Sequence, residues 1–543
     1  MLRVLGRKAA SGLGLSLTLL VAACGSGGGS SSPPASSPPP SSPPPAGSSP
    51  TWTAGVFQAA STFVARCQSP RSGRDIEGNL FPDRQGTLLD ELFWLRSWTN
   101  ETYLWPDEVV DRNPATFSNR LDYFAVLKTN ATTPSGEMKD DFHFSQPTEE
   151  FLRQRNSEPA PSYGAELIAL SPTRPRDIRV LYTEPGSPAA AIVGGAANLV
   201  RGTRILAVDG IDLVNGGATQ AELDALNAGL FPDAVGETHS FRVQDPGGFE
   251  RDITLSAANI APKPVNRTRI ISTPTGDVAY LLINTFSPFA SERDIAEAVS
   301  SAVSAGADDV VLDLRYNGGG LLAVAAQLGY MVAGPSRTSG RVFERLRFNA
   351  AAGNRNPVTG QINDPVPFYS TGLGFSLTSG AALPTLNLPR VFVLSTEDTC
   401  SASEAVVNAL RGVFVDVVLI GGTTCGKPFG FYPTDNCGET YYTIQFQGVN
   451  DVGFGDYTDG FIPQNSSASF GVRVPGCVVA DDLTRELGDE NEGLLAAALF
   501  YRQFGVCPAS SASATATTRR VGEGPAIEVR APLLLGRDMR RPD

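Results

Sequence analysis

The stretch Val310-Val311-Leu312-Asp313-Leu314-Arg315-Tyr316-Asn317-Gly318-Gly319-Gly320 decides how the chain is read. Val310 to Leu314 has the near-continuous apolar character of a strand buried on both faces. The glycines end it, and an apolar helical pattern follows over Leu321 to Val332. A strand, a glycine turn and a helix in succession are the unit of an α/β domain. The same alternation extends outward. Val278 to Ile283 reads as a strand and Ser291 to Ala305 as a helix, with Ser291 and Asp294 as its start signal. Val391 to Leu394 reads as a strand, Ser401 to Arg411 as a helix and Val415 to Ile420 as a strand. Glu492 to Phe504 is a closing helix.

Two segments downstream of the glycines carry chemistry. One is Thr399-Cys400-Ser401-Ala402-Ser403-Glu404, at a strand end and helix start. The other is Gly422-Thr423-Thr424-Cys425-Gly426-Lys427. A serine hydroxyl is a weak nucleophile until a base takes its proton. A lysine serves as that base once it is neutral, and burial lowers a lysine pKa, by up to ~3–5 when complete. Acyl transfer also needs donors aimed at the developing oxyanion. Gly318 or Gly319, with the N–H of Ala402, are the candidates. Plainer readings exist for each part. Ser401 to Glu404 fits a helix capping box, and Lys427 fits a surface turn. Their combination points to a serine–lysine hydrolase.

Composition removes several alternatives. The 543 residues carry a net charge of −13, so no nucleic-acid footprint is expected. The only two histidines, His143 and His239, precede Ser401. There is no Gly-x-Ser-x-Gly elbow followed by histidine, which argues against an α/β-hydrolase esterase. No Walker motif or Gly-x-Gly-x-x-Gly is present, so a nucleotide site is not expected. No metal and no cofactor is called for, and no Cys-x-x-Cys pattern indicates zinc.

The flanks define further segments. Residues 1–23 read as an export signal, with Arg3, Arg7 and Lys8 before the apolar run Leu13 to Val21. Its end, Val21-Ala22-Ala23-Cys24-Gly25, resembles the lipobox of bacterial lipoproteins, which implies lipidation of Cys24 and a membrane anchor. Residues 24–50 are a tether, composed after Cys24 only of Gly, Ser, Pro and Ala. Residues 51–158 read as a mainly helical region whose Trp94, Trp98 and Trp105 form a packed core. Residues 159–258 read as short strands with one helix, Thr219 to Leu230, and a closing strand pair over Ser240 to Leu255. Residues 259–507 form the α/β domain, and 508–543 are a Ser/Ala/Thr-rich, then basic, tail. Besides Cys24 there are six cysteines. An even number in an exported chain favours disulfides, and Cys425 with Cys437, across a turn-rich stretch, is the first pair expected.

Within 159–258, Glu184-Pro185-Gly186-Ser187-Pro188-Ala189-Ala190 and Gly202-Thr203-Arg204-Ile205-Leu206-Ala207-Val208-Asp209-Gly210 resemble a PDZ domain. The resemblance implies a peptide-binding unit that captures an extended segment by strand addition. Tyr163, Gly164, Ala165, Glu166 and Leu167 would be its carboxylate-binding loop.

Taken in order, the signal, the PDZ-like unit, Asp313 to Gly320, Ser401 to Glu404 and Gly426-Lys427 resemble the C-terminal processing (tail-specific) serine peptidases. The stretch Leu95 to Trp105 extends that resemblance toward the N-terminus. It implies a multidomain α/β protein, with a peptidase domain of the ClpP/crotonase-like type, that cleaves protein or peptide substrates. It assigns the nucleophile to Ser401 and the base to Lys427, with oxyanion donors from Gly318, Gly319 and Ala402. Some members have a glutamine four residues after the lysine, where this chain has Phe431. An idle peptide- or lipid-binding protein on the same fold is the other expectation.

Overall fold

The computed structural model describes residues 50–509. The expected signal, lipidation site Cys24, most of the tether and nearly all of the tail lie outside them. Among the described residues, no helix is long and apolar enough to cross a membrane.

A six-stranded sheet forms the centre. Its strands lie in chain order: Val265–Thr273, Gly276–Ile283, Asp309–Asp313, Arg390–Ser395, Asp416–Gly421 and Gly476–Val478. The first pair is an antiparallel hairpin, and every later neighbour is parallel. Parallel neighbours need crossovers, and helices supply three of the four. Helices Ala290–Ser304, Leu322–Ala333 and Ala402–Gly412 follow the second, third and fourth strands.

Alternation along each strand explains why both faces are covered. Ala279, Leu281, Val310, Leu312, Val391, Val393, Val417 and Leu419 pack with those three helices in one core. Their neighbours Val278, Tyr280, Leu282, Val311, Phe392, Leu394, Val418 and Ile420 enter a second core with helix Gly493–Phe504. The helix Ala290–Ser304 starts without the expected side-chain cap. Glu292 instead turns into the protein and accepts the backbone N–H groups of Ser376 and Leu377 at 2.8 and 2.9 Å.

Residues 160–260 form a β-rich unit. Its main sheet runs in the order Glu250–Ser256, Thr238–Gln244, Arg204–Val208, Asp177–Thr183, Ala165–Ser171. Helix Gln220–Leu230 begins at Thr219, whose side chain makes a capping box with Glu222. Leu223, Leu226 and Leu230 bury that helix against Ile178, Val208, Phe241 and Val243. The opposite side meets the central sheet. Tyr182 stacks on Tyr316 with centroids 6.2 Å apart, and Arg201 reaches Asp481 at 2.6 Å.

The N-terminal region is less helical than the sequence reading expects. Its α-helices are Leu88–Thr102, Arg120–Ala125 and Thr148–Arg155, separated by irregular stretches. The apolar density near residue 90 does form a 15-residue helix. Elsewhere glycine, proline and aspartate over residues 69–86 favour turns over helix. Trp94 and Trp98 are buried and pack with Tyr441 at 5.5 and 6.3 Å, as the packed-core reading expects, whereas Trp105 is half-buried and packs apart from them against Phe429. The region also contributes strand Phe144–Pro147, which pairs with Glu439–Tyr442.

The disulfides are Cys67–Cys437, Cys400–Cys425 and Cys477–Cys507. The expected Cys425–Cys437 pair does not form. Between them the chain enters strand Phe429–Gly430 and then hairpin Thr434–Asn436 with Glu439–Tyr442, which carries Cys437 to the N-terminal region.

Candidate active site

Ser401 stands at the join between the 390–395 strand and helix Ala402–Gly412. It is fully buried, and its backbone has φ +58° and ψ −112°. A non-glycine residue at such a φ is strained, and strain of this kind clusters at functional sites. The sharp turn puts Ser401 at the positive end of the helix.

The glycine segment lies directly against this turn. Asn317 accepts the Cys400 N–H through its carbonyl at 3.0 Å, and the same carbonyl accepts the Ser403 hydroxyl at 3.0 Å. Leu314 accepts the Thr399 hydroxyl at 2.9 Å. A Cβ added to Gly319, at φ +112°, would stand 2.8 Å from Ser401 Cβ and 3.0 Å from the Ala402 nitrogen. Only glycine permits that approach. Gly319→Ala is therefore expected to displace the turn and lower kcat by about 10²-fold, checked by steady-state kinetics beside a thermal melt.

The expected oxyanion donors separate here. The Gly319 N–H donates to Asn317 Oδ1 at 2.9 Å, so it is already engaged. Gly318 and Ala402 remain the candidate pair.

Lys427 leaves the 416–421 strand on a loop and is 4% exposed. Its Nζ lies 4.3 Å from the Phe431 ring centroid and 4.7 Å from that of Phe142. Phe431 thus faces the amine with a ring. Phe142 comes from the N-terminal region, 285 positions earlier in the chain, and no local signal in the sequence pointed to it.

Glu404 ties the two segments together. Its buried carboxylate accepts the backbone N–H of Ser401 at 3.1 Å, Gly426 at 2.9 Å and Lys427 at 2.8 Å. It also accepts the Thr424 hydroxyl at 2.5 Å. The reach-back to Ser401 is the expected cap; the bonds to 424–427 are what the sequence reading missed. Burial pushes the Glu404 carboxyl above its usual range, with these four donors opposing. The Cys400–Cys425 disulfide closes the same junction, and Cys425 N–H donates to Thr399 O at 3.1 Å.

Cys400, Glu404 and Cys425 are the one group of clustered metal-ligand types among the described residues. The two sulfurs are bonded to each other, so the cluster offers a metal only a carboxylate already holding four donors.

Beneath the glycine segment lies a buried ionic network. Arg315, wholly buried, pairs with Asp313 at 2.9 Å and with Glu492 and Asp481 at 2.8 Å. It sets the strand end from which the glycines emerge. Asp481 also takes the Arg201 guanidinium and the Tyr316 hydroxyl.

The loop Tyr163 to Leu167 is not part of the Ser401 turn. Tyr163 is buried and its hydroxyl donates to Gly229 O at 3.1 Å. Gly164 O accepts the Glu184 N–H at 2.8 Å, and a Cβ on Gly164 would stand 2.3 Å from that of Ser187. Ala165 to Leu167 already belong to an edge strand. Glu166 there is pushed up to about 8 by burial, then by the charges of Glu184 and Asp398, the latter in the loop before Ser401. Glu184 is raised to about 7, mainly by burial. A carboxyl raised in the folded state contributes stability below pH ~4.5, and this is lost as pH rises through its folded pKa. Glu166→Gln should thus flatten the decline in melting temperature between pH 5 and about 8, where the parent keeps it.

A mostly parallel sheet covered on both faces, with a strained serine at a strand-to-helix turn, defines an α/β fold. Residues 277–432, which hold the glycines, Ser401 and Lys427, match the model of peptidase family S41. The carboxyl-terminal-processing protease of a Picosynechococcus species is 30% identical over 252 residues, 46% of this chain and 50% of that protein. The match thus spans about half the length of that curated relative. The crystal structure of a Bacteroides fragilis protein, described as an S41 protease, superposes with a TM-score of 0.56 at 24% identity, over 79% of this chain and 99% of that one. The segment 277–432 is thus similar to peptidase family S41, and about half of the chain is similar to a carboxyl-terminal-processing protease.

Proposed function

We propose that this protein is an exported serine endopeptidase that cleaves proteins through Ser401 and Lys427. The observation that carries the reading is the junction at Glu404, which receives the backbone N–H groups of both Ser401 and Lys427. Two segments 26 positions apart (427 − 401) are thereby held to one carboxylate at the mouth of a helix.

Neutral Lys427 takes the Ser401 proton as the hydroxyl attacks a peptide carbonyl. The N–H groups of Gly318 and Ala402 hold the oxyanion. The lysine ammonium then protonates the leaving amine, and water hydrolyses the acyl-enzyme. Phe142 and Phe431 keep water from the amine.

The β-rich unit is read as PDZ-like, holding an extended peptide along the edge strand that begins at Ala165. The central domain is read as ClpP/crotonase-like. Export and lipidation at Cys24 belong to the same proposal and rest on the N-terminal sequence. The test is hydrolysis of an unfolded protein by the parent, Ser401→Ala and Lys427→Ala. Cleavage surviving either change would refute the dyad. No cleavage by a folded parent would favour an idle binding protein instead.

A further inference from the structure

The sulfur bridge at the site has a geometry that the two other disulfides lack. Cys400 immediately precedes Ser401, and Cys425 lies two residues before Lys427. Their bond therefore joins the nucleophile turn to the lysine loop covalently. The other bridges, Cys67–Cys437 and Cys477–Cys507, tie the N-terminal region and the end of the last helix to their neighbours.

Hydrogen bonds also cross this junction. They include the Gly426 and Lys427 amides and the Thr424 hydroxyl on Glu404, and the Cys425 amide on Thr399 O. Three of these act through backbone N–H groups and one through the Thr424 hydroxyl; the bridge adds a covalent tie between the two loops. Cys400 is 3% exposed, whereas Cys425 is partly exposed and accessible from solvent. Cys425 Sγ also lies 3.3 Å from Glu404 Oε2.

We propose that the Cys400–Cys425 disulfide positions the Ser401–Lys427 pair and makes turnover depend on thiol redox state. This rests on the peptidase reading above. An external dithiol is the reductant. Its thiolate attacks Cys425 Sγ, the S–S bond breaks and Cys400 leaves as a thiolate. The second thiol of the reagent then displaces Cys425 and forms the reagent's own disulfide. The protein gains two electrons and two protons and the dithiol loses them. The freed Cys425 thiol faces the Glu404 carboxylate and donates to it, competing with the amides of Gly426 and Lys427. The sulfurs retreat to non-bonded separation, and the lysine loop shifts from the nucleophile turn. A displacement on the order of 1 Å costs about 10²-fold in rate.

The experiment compares the full chain oxidised, reduced with dithiothreitol, and reoxidised. Cys400→Ser/Cys425→Ser and Cys477→Ser/Cys507→Ser are measured beside it, with the redox state of each bridge read by mass. Two readouts are followed: kcat and KM on an unfolded protein, and hydrogen exchange of peptides covering 399–404 and 424–431. The expected result is a kcat lower by about 10²-fold on reduction with KM little changed, and recovery on reoxidation. Cys400→Ser/Cys425→Ser should match the reduced parent and ignore dithiol, whereas Cys477→Ser/Cys507→Ser should keep the response. The Gly426 and Lys427 amides should exchange faster whenever the bridge is open. Unchanged kcat and unchanged exchange with the bridge shown to be open would overturn the proposal. If the oxidised parent cleaves nothing, the peptidase reading fails by itself. The exchange of 424–431 still decides whether the bridge sets the loops. If Cys400→Ser/Cys425→Ser does not fold, the reversible reduction of the parent carries the decision.

Discussion

Replacing Ser401 by alanine is expected to lower kcat on an unfolded protein by about 10⁴-fold or more, with the thermal midpoint nearly unchanged. The change removes only the hydroxyl. The Ser401 N–H that donates to Glu404 is retained, and alanine meets the same backbone penalty at φ +58° as serine does. The turn therefore keeps its shape while the attacking atom is lost. A residual rate from the oxyanion donors and binding alone is expected, as in other nucleophile knock-outs. The check is initial rates with parent and variant at equal concentration, each with a melt. A variant that keeps a rate near the parent's would remove Ser401 from the chemistry.

Lys427→Ala is expected to lose a comparable factor, about 10³–10⁴ in kcat. Without the amine nothing takes the hydroxyl proton, and nothing returns one to the leaving group. Lys427→Arg should be nearly as inactive. A guanidinium stays protonated at every working pH and cannot act as the base. Arginine nevertheless keeps a cation between Phe142 and Phe431, so it separates base chemistry from packing. In the parent, kcat/KM should rise with pH as the lysine loses its proton, then level. In Lys427→Ala that rising limb should disappear. An arginine variant with near-parental activity would show that the charge, not the proton transfer, is what the site needs.

The four inner strands of the central sheet were legible because they are buried on both faces; the edge strands Val265–Thr273 and Gly476–Val478 were not read from the sequence. Runs such as Val310 to Leu314 and Val415 to Ile420 are apolar but for Asp313 and Asp416, and their bounds fall within a residue or two. The serine turn was legible for a chemical reason: Ser401 through Glu404 carries the cap pattern, and the cap is real on the Glu404 side. Long-range partners were not legible. Nothing local in Cys400 and Cys425 announces their pairing, and the turn-rich stretch after Cys425 pointed to Cys437 instead. Phe142 reaches Lys427 only because strand Phe144–Pro147 pairs with Glu439–Tyr442. A capping glutamate that also collects the amides of residues 426 and 427 has the same sequence as one that does not. The N-terminal region was overread because the apolar density around Trp94 does not extend through its glycine- and proline-rich stretches.

The most direct measurement is acyl trapping. The full chain is mixed with an activated peptide ester, quenched in acid within seconds, digested and mapped by mass. A dyad predicts one acyl adduct, on the hydroxyl of Ser401, absent in Ser401→Ala and strongly reduced in Lys427→Ala. Turnover of the ester with the adduct on another residue would contradict the account.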